Sequence, residues 1–235
     1  MTQYQHHYQT NDITNIQVLI AQYGGTISSC SFHHVSFENA TLENVVFTDC
    51  QFIGCDFSNA QCNHSSFHRC DFFVDDQVCQ FTKTSLIGTK FEHCNLSGCL
   101  IRSTIAYRLS LSHCTLTGSV WKDIAFNEPE STQSQSRWEC CTGQSIEFSD
   151  FSIEAATFVE CDLASCDSQN VRFNHCRFVG GNLNITSSAP ISFLGSDLRE
   201  TNLIGTKSEY VDFTGAFLNA FQAQRLGVTE QVKVC

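Results

Sequence analysis

Basic residues are few in this sequence: thirteen Lys and Arg stand against twenty-four Asp and Glu, a formal net charge of −11 over 235 residues. A chain so poor in cations is excluded as an ordinary nucleic-acid binder, because such proteins set Lys and Arg in place of the phosphate counterions. Basic partners are favoured over acidic ones. Long apolar runs are absent too, which argues against a membrane-spanning helix, and the polar residues 1–10 do not read as a signal peptide. The expected location is cytoplasmic. Proline occurs only twice, so almost every backbone N–H is free to donate to a strand ladder. Missing as well are CxxC pairs, a Gly-rich phosphate loop, and the turn clusters every roughly 8–12 residues that an ordinary β-sandwich requires.

Phe and Cys are abundant, with twenty and fifteen copies, and one rule places both. A large apolar residue recurs at every fifth position. The first run is Phe32, Phe37, Leu42, Phe47, Phe52, Phe57, Phe67 and Phe72, missing only the slot at Cys62. A second holds Phe81, Leu86, Phe91, Leu96, Ile101, Leu111, Leu116, Trp121 and Phe126, and a third extends from Phe148 to Leu218. Sixteen of the twenty Phe lie on these centres, where one slot in five would hold about four by chance.

The slot two residues before each centre is restricted to small residues: Cys30, Val35, Ala40, Val45, Cys50, Cys55, Ala60, Ser65 and Cys70 in the first run. In an extended segment, positions i−2 and i share one side while i−1 and i+1 share the other. For the next i−2 to point inward, the chain must turn at i+1 and i+2. Five residues therefore make one side and one corner of a coil. An α-helix would scatter every fifth residue at steps of about 140° and is excluded for the body of the chain.

Segments such as Cys50-Gln51-Phe52-Ile53-Gly54, Cys55-Asp56-Phe57-Ser58-Asn59 and Ser196-Asp197-Leu198-Arg199-Glu200 resemble the A(D/N)LXX pattern of the pentapeptide-repeat family, over about Gly25 to Leu218. The resemblance implies an all-β fold, a right-handed quadrilateral β-helix with short terminal capping helices. About nine coils at roughly 4.8 Å each would make a rod of about 45 Å. The expected organisation is an N-terminal extension and cap over residues 1–24, the β-helix over 25–218, and a C-terminal helix and tail over 219–235. Asp12 reads as the N-cap of a helix through Ile16, Leu19 and Ile20 that ends at Gly24 and Gly25. Residues 219–227 read as a second helix, with Phe221 and Leu226 on one side. Such elements cover the exposed terminal rungs of a solenoid.

Twelve of the fifteen cysteines occupy the small inward slot and read as packing residues rather than metal or redox groups. Cys30, Cys50 and Cys70 should form a column whose parallel Cβ vectors disfavour bridging. His33, His64, His68, His93, His113 and His175 fall on outward slots. Of these, His93 and His113, twenty residues apart, are stacked neighbours, with no third ligand apparent. No nucleophile has a recognisable base and orienting partner, and the carboxylates are dispersed. The chain is therefore expected to be no enzyme and to carry no catalytic residue, cofactor or metal.

The period breaks twice, at residues 73–78, which include Asp75 and Asp76, and at residues 127–137, which include Glu128 and Glu130. Ten repeats separate the breaks. On a four-sided coil that is two and a half turns, so the loops should leave from opposite sides, roughly 12 Å apart along the axis. Two such loops in a Phe- and Cys-rich pentapeptide solenoid, followed by a short helix ending in Leu226-Gly227-Val228, are similar to the Qnr quinolone-resistance proteins. That resemblance implies a non-enzymatic DNA mimic that binds the type II topoisomerases DNA gyrase and topoisomerase IV and protects them from quinolones or related poisons. It also implies a homodimer joined at the C-terminus, for which Phe221, Leu226, Val228 and Val232 are the candidate interface, with the tail pairing across it. The candidate partner-binding residues are the four loop acids together with Glu147 stacked under Asp167, and Asp162, Asp197 and Asp212 on neighbouring outward slots. Neither nucleic acid nor membrane is expected as a direct partner. A charge of −11 over about 45 Å is one per roughly 4 Å, against one per about 1.7 Å for duplex DNA, so mimicry is confined to local patches. The alternative is a structural or regulatory interaction scaffold with an unrelated partner.

Overall fold

A computed structural model describes residues 6–9, 16–22, 24–128, 135–186 and 189–234, and in it the chain winds as a four-sided coil. The first side stacks eight parallel strands, Thr26–Ser28, Val46–Thr48, Ser66–His68, Lys90–Glu92, Ser110–Ser112, Arg137–Glu139, Thr157–Val159 and Arg177–Val179. Bridges from Arg177 to Asp197 and from Asp197 to Phe217 extend it to ten rungs, and therefore nine turns. Because the strands pair in register, like positions stack and the Phe centres become aromatic columns. Phe32, Phe52 and Phe72 lie nearly parallel with ring centroids 5.1 and 4.8 Å apart, and Phe37, Phe57 and Phe81 repeat this at 4.5 and 4.7 Å. Rings on adjacent sides meet edge to face, the geometry the aromatic quadrupole prefers. Each buried Phe contributes about 1.5–3 kcal/mol of transfer free energy.

The small inward slot forms the corners. Cys30, Cys50, Cys70, Cys94, Cys114, Cys141 and Cys161 make one column of buried thiols, none of them in a disulfide. The Sγ atoms of Cys50, Cys70, Cys94 and Cys114 donate to the carbonyls of Ile27, Phe47, Phe67 and Phe91 at 3.2–3.5 Å. Burial pushes the thiols of Cys62, Cys166 and Cys176 up to about 12, which keeps them protonated and inert. The turn itself is made two residues after each centre, by residues with positive φ such as Asn39 (58°), Asn59 (58°) and His93 (55°). Asn, Asp and His tolerate this left-handed region best among residues with a Cβ, which accounts for their recurrence at that slot.

The first insertion is a hairpin. Phe73–Val74 pairs antiparallel with Gln77–Val78, and Asp75 and Asp76 form its two-residue tip with φ of 51° and 59°. It folds onto Gly98 of the next coil, where a Cβ would lie 2.8 Å from Val78 Cγ1 and 3.3 Å from Phe73 Cδ2. The second insertion is shorter than its sequence suggests. Ser136 is buried in a small inward slot and Arg137 pairs in register with Ser110 and Thr157, so both belong to the coil. Both residues are polar, so they continue the polar stretch of the loop in sequence although the coil has already resumed.

Both ends carry additions. At the N-terminus the strand His6–Gln9 pairs parallel with Cys30–His33, and Tyr8 stacks on Phe32 at 5.3 Å, a rung that the five-residue rule did not anticipate. Helix α1, Ile16–Gln22, buries Leu19 against the first coil. Asp12, expected as its N-cap, lies outside the described residues. At the other end Asn219 and Gln222 form a capping box for α2, Ala220–Leu226, and Gly227 closes it with φ 69°. Phe221 is 68% exposed whereas Leu226 is buried, because residues five apart stand about 140° apart on a helix. The expectation that they share a side is therefore corrected. No helix among the described residues is long and apolar enough to cross a membrane.

Gln222 joins α2 to the last full coil, since its buried Nε2 donates to the carbonyls of Leu198 (2.8 Å) and Thr201 (2.7 Å). The substitution Gln222→Ala removes these bonds along with the half of the capping box in which Asn219 N–H donates to Gln222 Oε1. Urea unfolding is expected to show a loss of about 1–3 kcal/mol, the cost of leaving buried acceptors unpaired. A loss under about 0.5 kcal/mol would mean that water replaces the amide.

Candidate protein-interaction surface

Side chains fill the coil, so what the molecule offers a partner is its outer faces, corners and insertions. The hairpin of residues 73–78 leaves the third coil at the corner between its second and third sides, after Phe72. The second insertion leaves the fifth coil after Phe126, at the corner between the fourth and first sides. These corners are diagonally opposite. Asp75 and Asp76 are exposed at the hairpin tip. Glu128, at the start of the other insertion, forms an ion pair with Arg108, while Glu130 lies outside the described residues.

The remaining acids do not make one patch. Glu147 and Asp167 are register partners on the third side. Asp162 lies on the second side between Thr142 and Asn182, Asp197 on the first beside Arg177, and Asp212 on the fourth beside Ser192. Five residues advance the chain a quarter turn, so neighbouring outward slots face different directions. Asp197 is also partly neutralised: Arg199 donates to it through Nε (2.8 Å) and the second guanidinium nitrogen (2.7 Å), and that bond holds its carboxyl below the usual range. Arg69 does the same to Asp49.

A larger acidic feature rings the sixth and seventh coils. Between Trp138 and Val171 the chain has seven carboxylates, Glu139, Glu147, Asp150, Glu154, Glu160, Asp162 and Asp167, and no Lys or Arg. Arg137 and Arg172 stand on these two coils just outside the run, and cations meet its acids in the described residues as in Lys122 to Asp150 at 3.6 Å and Arg137 to Glu139 at 3.1 Å. Exposed pairs of this kind contribute about 0–1 kcal/mol and leave the local potential negative. Sequence reasoning found three of the seven and missed Glu139, Asp150, Glu154 and Glu160. The signal was the unbroken run without a basic residue.

At the C-terminal end, Leu226 and Val228 are buried against the chain's own last coil, so neither is presented as an interface residue. Val232 packs partly against the same core. The tail strand Lys233–Val234 pairs parallel with Phe217–Leu218 of the same chain, correcting the expected pairing across a dimer. An edge strand takes the nearest unpaired partner, here one coil below. Phe221 and Ile204, 68% and 55% exposed, remain outward beside a small apolar groove of about 160 Å³.

Models of pentapeptide repeats match residues 27–71, as nine copies, and residues 79–118, as eight. No curated protein matches the sequence. Among solved structures, a trypsin-treated variant of QnrB1, a plasmid-mediated fluoroquinolone resistance protein, is similar with TM-score 0.67 and 19% identity, covering 94% of this chain and 96% of that one. Full-length QnrB1 gives TM-score 0.62 at 19% identity, over 86% of this chain and 96% of that one. At this identity the likeness is one of fold. With its five-residue period, its stacked Phe and Leu centres, its Cys-lined corners and these matches, the chain carries pentapeptide repeats within residues 27–118 and folds as a four-sided β-helix of the kind seen in QnrB1.

Proposed function

We propose that this chain is a non-catalytic, protein-binding β-helix that protects a type II topoisomerase, DNA gyrase or topoisomerase IV, from quinolone-type poisons. The observation that carries the reading is the arrangement on the rod: two insertions at diagonally opposite corners, and beyond them an acidic belt without basic residues from 139 to 170. The belt presents negative charge locally where the whole rod is too dilute in charge to imitate duplex DNA. The likeness in fold to a fluoroquinolone resistance protein supports the same reading. In this reading the belt enters the cationic channel that normally holds DNA, and the hairpin tip with Asp75 and Asp76 contacts enzyme outside it. A homodimer is supported by exposed Phe221 and Ile204 at the C-terminal end, with Leu226 and Val228 serving the protomer's own fold.

Supercoiling by purified gyrase in the presence of ciprofloxacin tests this. Added protein is expected to restore supercoiling at low ratios to enzyme, and replacing residues 73–78 with a two-residue corner is expected to remove the effect while the far-ultraviolet spectrum stays unchanged. Absence of rescue by folded protein sinks the topoisomerase reading. One observation favours a scaffold with an unrelated partner instead: the acids of one loop and one face are already engaged, Glu128 by Arg108 and Asp197 by Arg199. Retention of a different bacterial protein on the immobilised rod, with gyrase in the flow-through, would establish that alternative.

A further inference from the structure

Along the corner between the first and second sides, one column of residues shares the left-handed turn: Arg69 (φ 51°), His93 (55°), His113 (53°), Cys140 (49°) and Glu160 (50°). They sit on consecutive rungs because the strands that precede them pair in register. His113 and Cys140 are twenty-seven residues apart rather than twenty. The seven extra residues of the second insertion set Cys140 on the rung above His113, which is why the sequence period showed two stacked histidines and no third ligand.

The imidazoles of His93 and His113 stack with centroids 4.6 Å apart and planes at 28°. His113 Nδ1 is hydrogen-bonded to Ser112 Oγ at 2.8 Å, which orients the ring and leaves Nε2 outward. Cys140 Sγ stands 3.7 Å from Glu160 Oε2, and Cys140 alone among the described cysteines is not buried. We propose that His93, His113 and Cys140, with Glu160 beside them, form a surface site for a thiophilic divalent metal ion of the zinc class.

Two imidazoles and a thiolate, with water in the fourth position, are a borderline-soft donor set that suits a tetrahedral zinc ion, and Glu160, one rung further on, adds negative charge beside it. Zinc holds nitrogen at about 2.0–2.1 Å and sulfur at about 2.3 Å, so neighbouring donors around it stand roughly 3.5 Å apart. Parallel strands hold adjacent backbones about 4.8 Å apart, so His93 and Cys140, two rungs apart, are about 10 Å apart at the backbone, a span that an imidazole and a thiol reaching toward one ion between them can cover. Among the described residues no three such groups already converge on one point. The site therefore closes around the ion by side-chain rotation, on a backbone that the ladder keeps in place. The bound ion would clamp the fourth, fifth and sixth coils together across the level at which the second insertion departs. This proposal is independent of the topoisomerase reading.

Cobalt(II) is the probe, titrated into the full-length, reduced protein. The expected result is one ion per chain, with thiolate-to-cobalt charge-transfer absorption in the near ultraviolet that added zinc abolishes. Cys140→Ser is expected to lose that absorption, and His93→Gln and His113→Gln to weaken binding at least tenfold. His175→Gln, at a different corner, is expected to leave binding unchanged. Zinc should also raise the unfolding temperature of the parent and not of Cys140→Ser, as binding to the folded state alone requires. The proposal is overturned if no charge-transfer band appears, if the band survives Cys140→Ser, or if the two histidine variants bind as the parent does.

Discussion

Phe52→Ala is expected to destabilise the protein by about 4–5 kcal/mol, toward the upper end of what buried aromatic truncations cost. Phe52 is fully buried and stacked between Phe32 and Phe72, with edge-to-face contacts to Phe37, Phe47 and Phe57 at centroid distances of 5.7, 5.4 and 5.4 Å. The loss includes the transfer free energy of the ring and a cavity term. Here the cavity cannot close, because the backbone bonds above and below, such as Phe52 N–H to the Asp71 carbonyl at 2.8 Å, fix the spacing between rungs. Each rung touches mainly its two neighbours, so the damage is local, and the unfolding transition should broaden as well as shift. Phe73→Ala, on the partly exposed hairpin, is the comparison and should cost about 1 kcal/mol. Chemical denaturation of the two variants checks this. Equal effects would mean that the aromatic columns add nothing beyond ordinary burial.

Gly181→Ala is the second large effect, and Gly118→Ala isolates its cause. Both glycines have positive φ, 72° and 66°, so both substitutions carry the left-handed cost of about 1 kcal/mol. Around Gly118 a Cβ would meet nothing within 4 Å. At Gly181 it would lie 2.0 Å from the Cys161 carbonyl oxygen and 2.8 Å from the Cys161 carbonyl carbon and nitrogen, all backbone atoms that no rotamer can move. The rungs would have to part, straining the bond from Asn182 N–H to that same carbonyl, now 2.9 Å. Calorimetry is expected to show a loss above about 3 kcal/mol for Gly181→Ala and near 1 kcal/mol for Gly118→Ala. Matching losses would show that the backbone at this corner yields.

The sides and corners were legible because a strand's alternation converts a five-residue period into geometry without knowledge of anything distant. Phe47, Cys50 and Phe52 could be given inward directions from spacing alone. The address of a residue along the rod was less legible. Before the first insertion, stacked partners are twenty residues apart, as Phe47 is from Phe67. After it Phe67 stacks on Phe91, and across the second insertion Leu111 lies under Trp138. The candidate surface was read less completely than the core for a related reason. Outward residues carry no periodic constraint, so the sequence showed which residues point out but not which of them share a face, and Glu147, Asp162, Asp197 and Asp212 divide among all four sides.

The ends were the least legible. Tyr8 stacks on Phe32, but two tyrosines four residues apart in a polar segment do not follow the five-residue period that would announce it. Leu226 and Val228 carry the same apolar signal whether they cover their own coil or a second chain, and the fold uses them for the first. By itself the sequence determined the repeat, the inward residues and the two places where the coil is interrupted, since each follows from the geometry of a few consecutive residues. Only the tertiary structure decided which residues are neighbours across rungs, that the insertions leave from opposite corners, that Cys140 stands over His113 and that the tail closes its own chain. Those relations depend on how many residues each turn consumes and on which unpaired edge lies nearest, and both are set by the stacking of whole coils.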